Sequence, residues 1–159
     1  MNVTPAISVL HRQQLDEVYC LPACVQIILD FYGLTRSQSE IARTLDLRPG
    51  FGVPASNIVR LRTSVITPHY IVDGTLDHLK AWLQQGSPVI AFVQAGELHQ
   101  WHGRRAQHAV LLVGADAQEI HIHDPALTYG PIEVTIDEFL IAWQEMDNRY
   151  AVLVKQGAK

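Results

Sequence analysis

The sequence predicts an α+β fold in which a helical N-terminal part packs on a C-terminal antiparallel sheet. Two observations predict it. Helical apolar patterns dominate the chain up to residue 85, and β-branched runs separated by short polar turns dominate from residue 88 onward. The 159 residues are enough for one domain with its own core, and we expect that domain to span residues 1–159.

The most apolar predicted helix runs from Leu21 to Tyr32. Its apolar residues cover more than one face, which is typical of a buried helix. Pro22 fits the first turn, where its missing N–H is not needed, and Gly33 supplies the left-handed residue that often ends a helix. These signals place Cys20 at or beside the N-cap.

The other elements follow from caps, turns and periodicity. Residues 6–10 fit a short strand, and Ser37 with Glu40 fits a capping box that opens a peripheral helix ending near Asp46. The remaining predicted elements are a helix at 57–62, a strand at 64–72, a helix at 76–85, strands at 88–94, 108–114, 119–123 and 132–135, a helix at 136–145 and a strand at 151–155.

The composition excludes several classes of protein. Hydrophobic residues make up 48% of the chain and charged residues 18%, as in globular enzymes rather than disordered chains. The net charge of −4 and the scattered basic residues argue against a nucleic-acid partner. No apolar run approaches the ~20 residues of a membrane-spanning helix, and residues 1–10 lack the basic start and the apolar stretch of a secretory signal. We therefore expect a cytoplasmic protein without membrane insertion, and the sequence leaves its oligomeric state open.

Cys20 is the first candidate for chemistry. The chain has two cysteines, Cys20 and Cys24, whose spacing fits neither a redox Cys-x-x-Cys pair nor a disulfide framework. A thiolate is the nucleophilic form of cysteine, and the field of a helix N-terminus lowers a thiol pKa. The alternative is that Cys20 is a small buried residue without chemistry.

A predicted hairpin brings a histidine and a carboxylate together. If the turn is centred on Asp116, His108 lies opposite Asp124 at the open end, with apolar pairs behind them on the same face. This register pairs Val110 with Ile122 and Leu112 with Ile120. Asp124 can then accept from one imidazole nitrogen and leave the other for a thiol, which is the arrangement of a nucleophile, a base and an orienting residue. The alternative is a structural histidine and a turn aspartate.

Acyl transfer also needs hydrogen-bond donors for the developing oxyanion. Gln14 lies six residues before Cys20 and can supply a side-chain N–H beside the backbone N–H of Cys20. A polar residue in such an arm is more often exposed to solvent, so the spacing alone does not identify its role.

Four segments together resemble the bacteriocin-leader peptidases, also called double-glycine peptidases. They are QLDEVYCLPAC at 14–24, FYG at 31–33, HAVLLVG at 108–114 and DPA at 124–126. The family consists of papain-like cysteine peptidases in bacteria, which occur as N-terminal domains of peptide-exporting ABC transporters and as free-standing relatives. The resemblance runs from about residue 14 to residue 143 and identifies the chain as a free-standing member.

The resemblance implies a papain-like fold and a cysteine peptidase that acts on a peptide or protein. Carried over by position, Cys20 attacks the substrate, His108 transfers protons, Asp124 orients His108 and Gln14 helps to form the oxyanion hole. Cys24 becomes a buried helix residue.

Two residues beside the nucleophile depart from the family pattern. Tyr19 replaces the usual aspartate before the cysteine, and Leu21 replaces the usual glycine after it. We therefore do not transfer the double-glycine cleavage preference. Tyr19 and Leu21, together with Trp101 in the long connection before the histidine strand, are predicted to contact substrate.

Two other functions remain open. The same thioester chemistry can end in transfer of the acyl group to an amine or another acceptor, as in transglutaminase-like relatives of papain. A degenerate member of the family can also dock peptides without catalysis, although such members usually lack the cysteine.

Two pairs of histidines have spacings that a metal ion can use, namely His99 with His102 and His121 with His123. In the predicted hairpin register, His121 and His123 point to the face opposite His108, and no carboxylate or cysteine cluster stands beside them. We therefore expect neither a metal nor another cofactor.

Overall fold

The computed structural model describes residues 6–157, so both ends of the predicted domain lie outside the described residues. Six antiparallel strands form one sheet in the order β1-β6-β2-β3-β4-β5. The strands are β1 (Ile66–Ile71), β2 (Val89–Gln94), β3 (Gln107–Ala115), β4 (Glu119–His123), β5 (Ile132–Thr135) and β6 (Tyr150–Lys155). The helices are α1 (Cys20–Phe31), α2 (Gln38–Thr44), α3 (Leu76–Gln84) and α4 (Ile136–Gln144).

Helices cover both faces of the sheet and bury two separate cores. On one face, α1, α2 and a 3-10 helix at Ala55–Leu61 pack on inward residues of β2, β3 and β6. On the other face, α3 and α4 pack on the alternate residues of the same strands. Because side chains alternate along a strand, a sheet covered on both faces needs nearly continuous apolar strands, and β2 and β3 have them.

The predicted helix that begins beside Cys20 is confirmed. Cys20 is the first residue of α1, Tyr19 is its N-cap and Gly33 has a φ of +78° just beyond the end. The side chain of Tyr19 makes no capping hydrogen bond. Eight of the twelve helix residues are buried, as the broad apolar surface of the sequence predicts.

The predicted capping box of α2 is also present. The Ser37 side chain accepts from the backbone N–H of Glu40, and the Glu40 carboxylate accepts in return from the backbone N–H of Ser37. Equivalent boxes open α3, through Thr75, and α4, through Thr135. These local signals explain why the helix starts were predictable from sequence.

The β3–β4 hairpin differs from its predicted register. Leu112 lies opposite Ile122 rather than Ile120, the strands close with Ala115 opposite Ile120, and a bulge separates Leu112 from Gly114. The backbone N–H of Asp116 donates to the carbonyl of Glu119 at 2.9 Å, so the turn lies at residues 117 and 118 rather than around residue 116. The bulge absorbs one residue, so the predicted register is wrong by two residues at the open end.

An error of two residues leaves the faces of the strands unchanged, since side chains alternate with a period of two. His108 and Asp124 still meet, but as diagonal neighbours instead of directly opposed residues. The four apolar residues predicted to share a face all lie in one core cluster: Val110, Leu112, Ile120 and Ile122.

Two further segments differ from expectation. Residues 6–10 do not form the predicted strand, although the backbone N–H of Ile7 donates to the carbonyl of Val113 at 2.8 Å. The connection between β2 and β3 contains two 3-10 helices, Ala95–Glu97 and His99–Trp101. Within residues 6–157, no helix has the length and apolar character that crossing a membrane requires.

Candidate active site

Cys20 combines three features of a reactive thiol. It is half-buried, it stands at the N-terminus of α1, and its sulfur contacts the side chain of His108 and the backbone of Ala109 and Leu21. Burial by itself raises the pKa of Cys20, but the hydrogen bond to His108 and its charge outweigh burial and lower the pKa below the usual value for cysteine. The thiolate is therefore favoured at this position.

His108 lies between Cys20 and Asp124 at the start of β3. Its Nε2 is 2.7 Å from Asp124 Oδ1, which leaves Nδ1 for the thiol. Burial disfavours the charged imidazolium, but the hydrogen bonds to Asp124 and Cys20 and the charges of both partners raise the pKa of His108 to about 9. Each partner therefore favours the charged form of the other.

Asp124 follows β4 and has no exposed surface. Its Oδ1 accepts from His108 and from the backbone N–H of Ala126 at 2.9 Å. Its Oδ2 accepts from the Gln100 amide at 3.0 Å and from the Trp101 indole N–H at 2.8 Å. Burial raises the pKa of Asp124, but these hydrogen bonds and the charge of His108 lower it to about 2.

Trp101 lies beside His108 and Asp124, and its predicted contact with substrate stays a prediction. Its ring packs on His108 with the centroids 4.8 Å apart, and its N–H is committed to Asp124. It is not among the residues that line the cavity beside Cys20. Gln100 was missed altogether, because a glutamine in a polar connection carries no local signal for a partner 24 residues away.

Gln14 lies beside the Asp124-Pro125 turn. Its backbone N–H donates to the carbonyl of Pro125 at 2.8 Å, which fixes this part of the arm next to the carboxylate end of the site. The Oε1 atom of Gln14 is buried and has no hydrogen-bond partner among the described residues. An oxyanion needs a donor whereas Oε1 is an acceptor, and Gln14 is not among the residues that line the cavity beside Cys20, so its role in the oxyanion hole stays a prediction.

A cavity of about 290 Å³ opens beside Cys20 and His108. Leu21 lines this cavity and Tyr19 is not among the lining residues, and contact of either residue with substrate stays a prediction. Tyr19 instead acts through its backbone, whose carbonyl accepts from the N–H of Ala23 at 3.0 Å.

The cavity lies between the helical part and the sheet. Its apolar wall comes from both sides, with Leu21 from α1 and Phe92 from β2, and Phe51 projects at the rim with 91% of its surface exposed. Glu17 and Arg149 also line it, one of each charge. A groove of this kind suits an extended chain that presents both apolar and polar groups.

Cys24 lies one helical turn after Cys20 and differs from it in burial and in the direction of its pKa shift. It is fully buried, and its sulfur donates to the carbonyl of Ala109 at 3.7 Å. Burial, together with the nearby charges of Cys20 and Asp124, raises its pKa well above the usual value. Cys24 is a core residue, as the resemblance implied.

Three of the other histidines take part in stacking or ion pairs. His123 is buried and stacks on His11, with their Nδ1 atoms 2.9 Å apart, while His121 lies within 4 Å of Asp116 and Glu133. No group of three or more potential metal ligands occurs among residues 6–157.

A family model and several solved structures match the chain. The model of the Peptidase_C39 like family matches residues 6–156. A C39-like peptidase from Bacillus anthracis superposes with a TM-score of 0.80 at 17% identity, covering 99% of this chain and 100% of that one.

Two similar structures come from transporters. The peptidase domain of Streptococcus ComA, a bi-functional ABC transporter involved in a quorum sensing pathway, gives a TM-score of 0.73 at 20% identity and covers 94% of this chain and 99% of that one. A double glycine motif protease from an AMS/PCAT transporter was solved in complex with the leader peptide. It gives a TM-score of 0.70 at 15% identity and covers 95% of this chain and 94% of that one. No curated protein matches the chain in sequence.

Proposed function

The chain belongs to the Peptidase_C39 like family, and on that premise we propose that it is a cysteine peptidase that works through Cys20, His108 and Asp124. The observation that carries the proposal is the position of His108, which contacts a thiol at a helix N-terminus on one side and a fully buried carboxylate on the other. A nucleophile, a base and an orienting residue in contact are what acyl transfer requires.

The chemistry follows from this arrangement. The Cys20 thiolate attacks the carbonyl carbon of the scissile peptide bond, and the backbone N–H of Cys20 and the amide of Gln14 stabilise the oxyanion. His108, already charged, donates its proton to the leaving amine. The water that His108 then deprotonates attacks the thioester carbonyl. The C–S bond breaks, which returns the Cys20 thiolate and releases the acyl group as a carboxylic acid that ionises in solution.

The buried carboxylate sets the protonation state in which this cycle starts. Asp124 stays ionised and favours the charged form of His108, and charged His108 favours the thiolate of Cys20. Because the proton is already on His108 before substrate arrives, no separate deprotonation of the thiol precedes attack.

We propose a peptide or protein as the substrate, bound in the groove that Leu21 and Phe51 line. The related double glycine motif protease was solved with a leader peptide, which supports an extended polypeptide as the class of ligand. We do not propose the double-glycine preference for this chain, since Tyr19 and Leu21 depart from the family pattern on both sides of Cys20.

A matched pair of cysteine variants tests the proposal. Incubation of the wild-type protein with a degenerate peptide library, followed by mass spectrometry, is expected to yield new termini, and Cys20→Ala is expected to abolish them. Cys24→Ala is the control, because it removes the buried thiol from the same helix, and it should keep the cleavage. Cleavage by Cys20→Ala at the wild-type rate would contradict the proposal.

The same experiment separates hydrolysis from the two alternative functions. Added amine should leave the products unchanged if water is the acceptor, whereas mass-shifted products that carry the amine would indicate a transferase. A wild-type protein that binds library peptides, cleaves none and is not alkylated by iodoacetamide at Cys20 would indicate a docking domain instead.

A further inference from the structure

The carboxylate of Asp124 is held from two directions. His108 and the Ala126 backbone bind Oδ1, whereas Gln100 and Trp101 bind Oδ2. The second pair comes from the 3-10 helix His99–Trp101, a segment of the β2–β3 connection that lies far from Asp124 in sequence. We propose that Gln100 and Trp101 are positioning residues, which fix Asp124 in the orientation and the charge state that His108 needs. This proposal deepens the proposed function and rests on it.

The geometry supports a positioning role through both atoms of the carboxylate. A carboxylate with one oxygen bound to His108 can still rotate about its Cβ–Cγ bond, and donors on the second oxygen remove that freedom. Two donors at 2.8 and 3.0 Å also stabilise the anion in a place that water does not reach. Asp124 therefore stays ionised and aimed at Nε2 of His108.

Trp101 restrains His108 directly as well. Its ring lies 4.8 Å from the imidazole, inclined by 60°, and covers one side of it. The guanidinium of Arg104 lies 4.9 Å from the ring of Trp101 and packs on that tryptophan in turn. The imidazole thus has a neighbour that opposes rotation out of the line between Cys20 and Asp124.

The position of Gln100 leaves one of its polar atoms without a hydrogen bond. Its Nε2 is committed to Asp124, while its Oε1 is buried and has no hydrogen-bond partner among the described residues. A buried polar atom without a partner costs free energy, so packing alone does not favour a glutamine here. A role in holding the carboxylate explains why the side chain is retained in this place.

The segment that carries both residues is itself anchored to α4. Glu138 Oε1 accepts from the backbone N–H of His99 at 2.9 Å and lies 2.7 Å from its ring nitrogen. At the far end, Arg105 donates to Glu145 at 2.6 Å. These contacts hold the connection at both sides of Gln100 and Trp101, so the donors are presented from a fixed backbone.

The pH dependence of catalysis tests the proposal with Trp101→Phe and Gln100→Leu. Loss of one donor leaves Asp124 ionised but frees its carboxylate to turn away from Nε2 of His108. The weaker hydrogen bond lowers the pKa of His108, and the less stable imidazolium raises the pKa of Cys20. The acid limb of kcat/KM, which follows the pKa of Cys20, is then expected to move to higher pH. The alkaline limb, which follows the pKa of His108, is expected to move to lower pH, so that the pH profile narrows from both sides. We expect kcat to fall about tenfold with KM little changed, since neither residue lines the cavity.

Trp82→Phe is the matched control, because Trp82 is another half-buried tryptophan whose N–H is hydrogen-bonded, to Tyr150 at 3.4 Å. Trp82→Phe should leave the acid and alkaline limbs of kcat/KM at their wild-type pH. If Trp101→Phe leaves the limbs unchanged, or if Trp82→Phe moves them as far, the positioning role is wrong. A smaller fraction of folded protein would lower kcat/KM by the same factor at every pH and leave the pH of both limbs unchanged.

Iodoacetamide alkylation of Cys20 provides a readout that does not depend on hydrolysis. Trp101→Phe should shift the acid limb of alkylation upward in the wild-type background and have no further effect in an Asp124→Asn background. Equal effects in both backgrounds would overturn the proposal. If the wild-type protein cleaves no peptide but shows this coupling, the proposed function fails and the positioning role stands.

Discussion

The three charged groups of the site depend on one another. Asp124 has a pKa of about 2 and His108 one of about 9, so both are ionised across the neutral range, and the pKa of Cys20 is lowered in their presence. The thiolate–imidazolium pair is present between the pKa of Cys20 and that of His108. Hydrolysis should therefore rise as the pH passes the pKa of Cys20 and fall as the pH passes about 9.

His108→Ala tests this dependence at the thiol. Without the imidazolium, burial remains and raises the pKa of Cys20, so the rate of iodoacetamide alkylation at pH 6 is expected to fall at least about tenfold. Mass mapping of the adduct after timed quenching measures this rate. His69→Ala is the control, because His69 is exposed on β1, and it should behave as wild type. An unchanged rate in His108→Ala would show that the helix N-terminus alone activates the thiol.

Among the elements, α4 has a first-turn residue, Glu138, that contacts both the helix cap and the segment next to Asp124. Glu138 closes the capping box with Thr135 through Oε2 and binds His99 through Oε1. The same carboxylate thus caps a helix and anchors the segment that carries Gln100 and Trp101. Local helix stability and the geometry of the site are coupled through a single side chain.

Glu138→Ala is expected to lower the free energy of unfolding by about 1 kcal/mol and also to slow alkylation of Cys20, since the donors to Asp124 lose their anchor. Urea unfolding and the alkylation rate measure the two effects. Glu40→Ala removes the equivalent box from α2 and should destabilise the protein without slowing alkylation. Equal effects of both variants on alkylation would contradict the coupling.

At the scale of the whole molecule, the site lies where the helical part meets the sheet. Cys20 comes from α1 and His108 from β3, and the cavity beside them takes its walls from both parts. The nucleophile and the base are therefore held by a shared core, in which Leu111 of β3 and Ile28 of α1 are fully buried. This arrangement fixes both residues while leaving the groove between them open.

Phe51 tests whether the groove receives the substrate. An aromatic side chain 91% exposed at the rim gains by covering an apolar part of a bound peptide, so Phe51→Ser is expected to raise KM severalfold and leave kcat unchanged. Steady-state kinetics on a cleaved peptide give both constants. Tyr129→Ser, an exposed aromatic that does not line the cavity, should change neither, and an unaltered KM in Phe51→Ser would place the substrate elsewhere.

The predicted elements agree closely with the structure, because their signals are local. Pro22 and Gly33 bracket α1, and the box of Ser37 and Glu40 opens α2, as predicted. The α+β, papain-like fold is confirmed by the family match and by the superposed structures. The contact of His108 with Asp124 was also predictable, since side-chain alternation survives an error of two residues in the register.

Caps, helical periodicity and strand alternation act between near neighbours, so most helices and strands and the shared face of His108 and Asp124 were predictable from the sequence, whereas the strand expected at residues 6–10 does not form. The bulge after Leu112 and the hydrogen bonds of Trp101 and Gln100 to Asp124 were not predictable, because they depend on how the folded chain packs. A hydrogen bond across 23 or 24 residues depends on where the folded chain brings two segments together, and no local pattern encodes that distance.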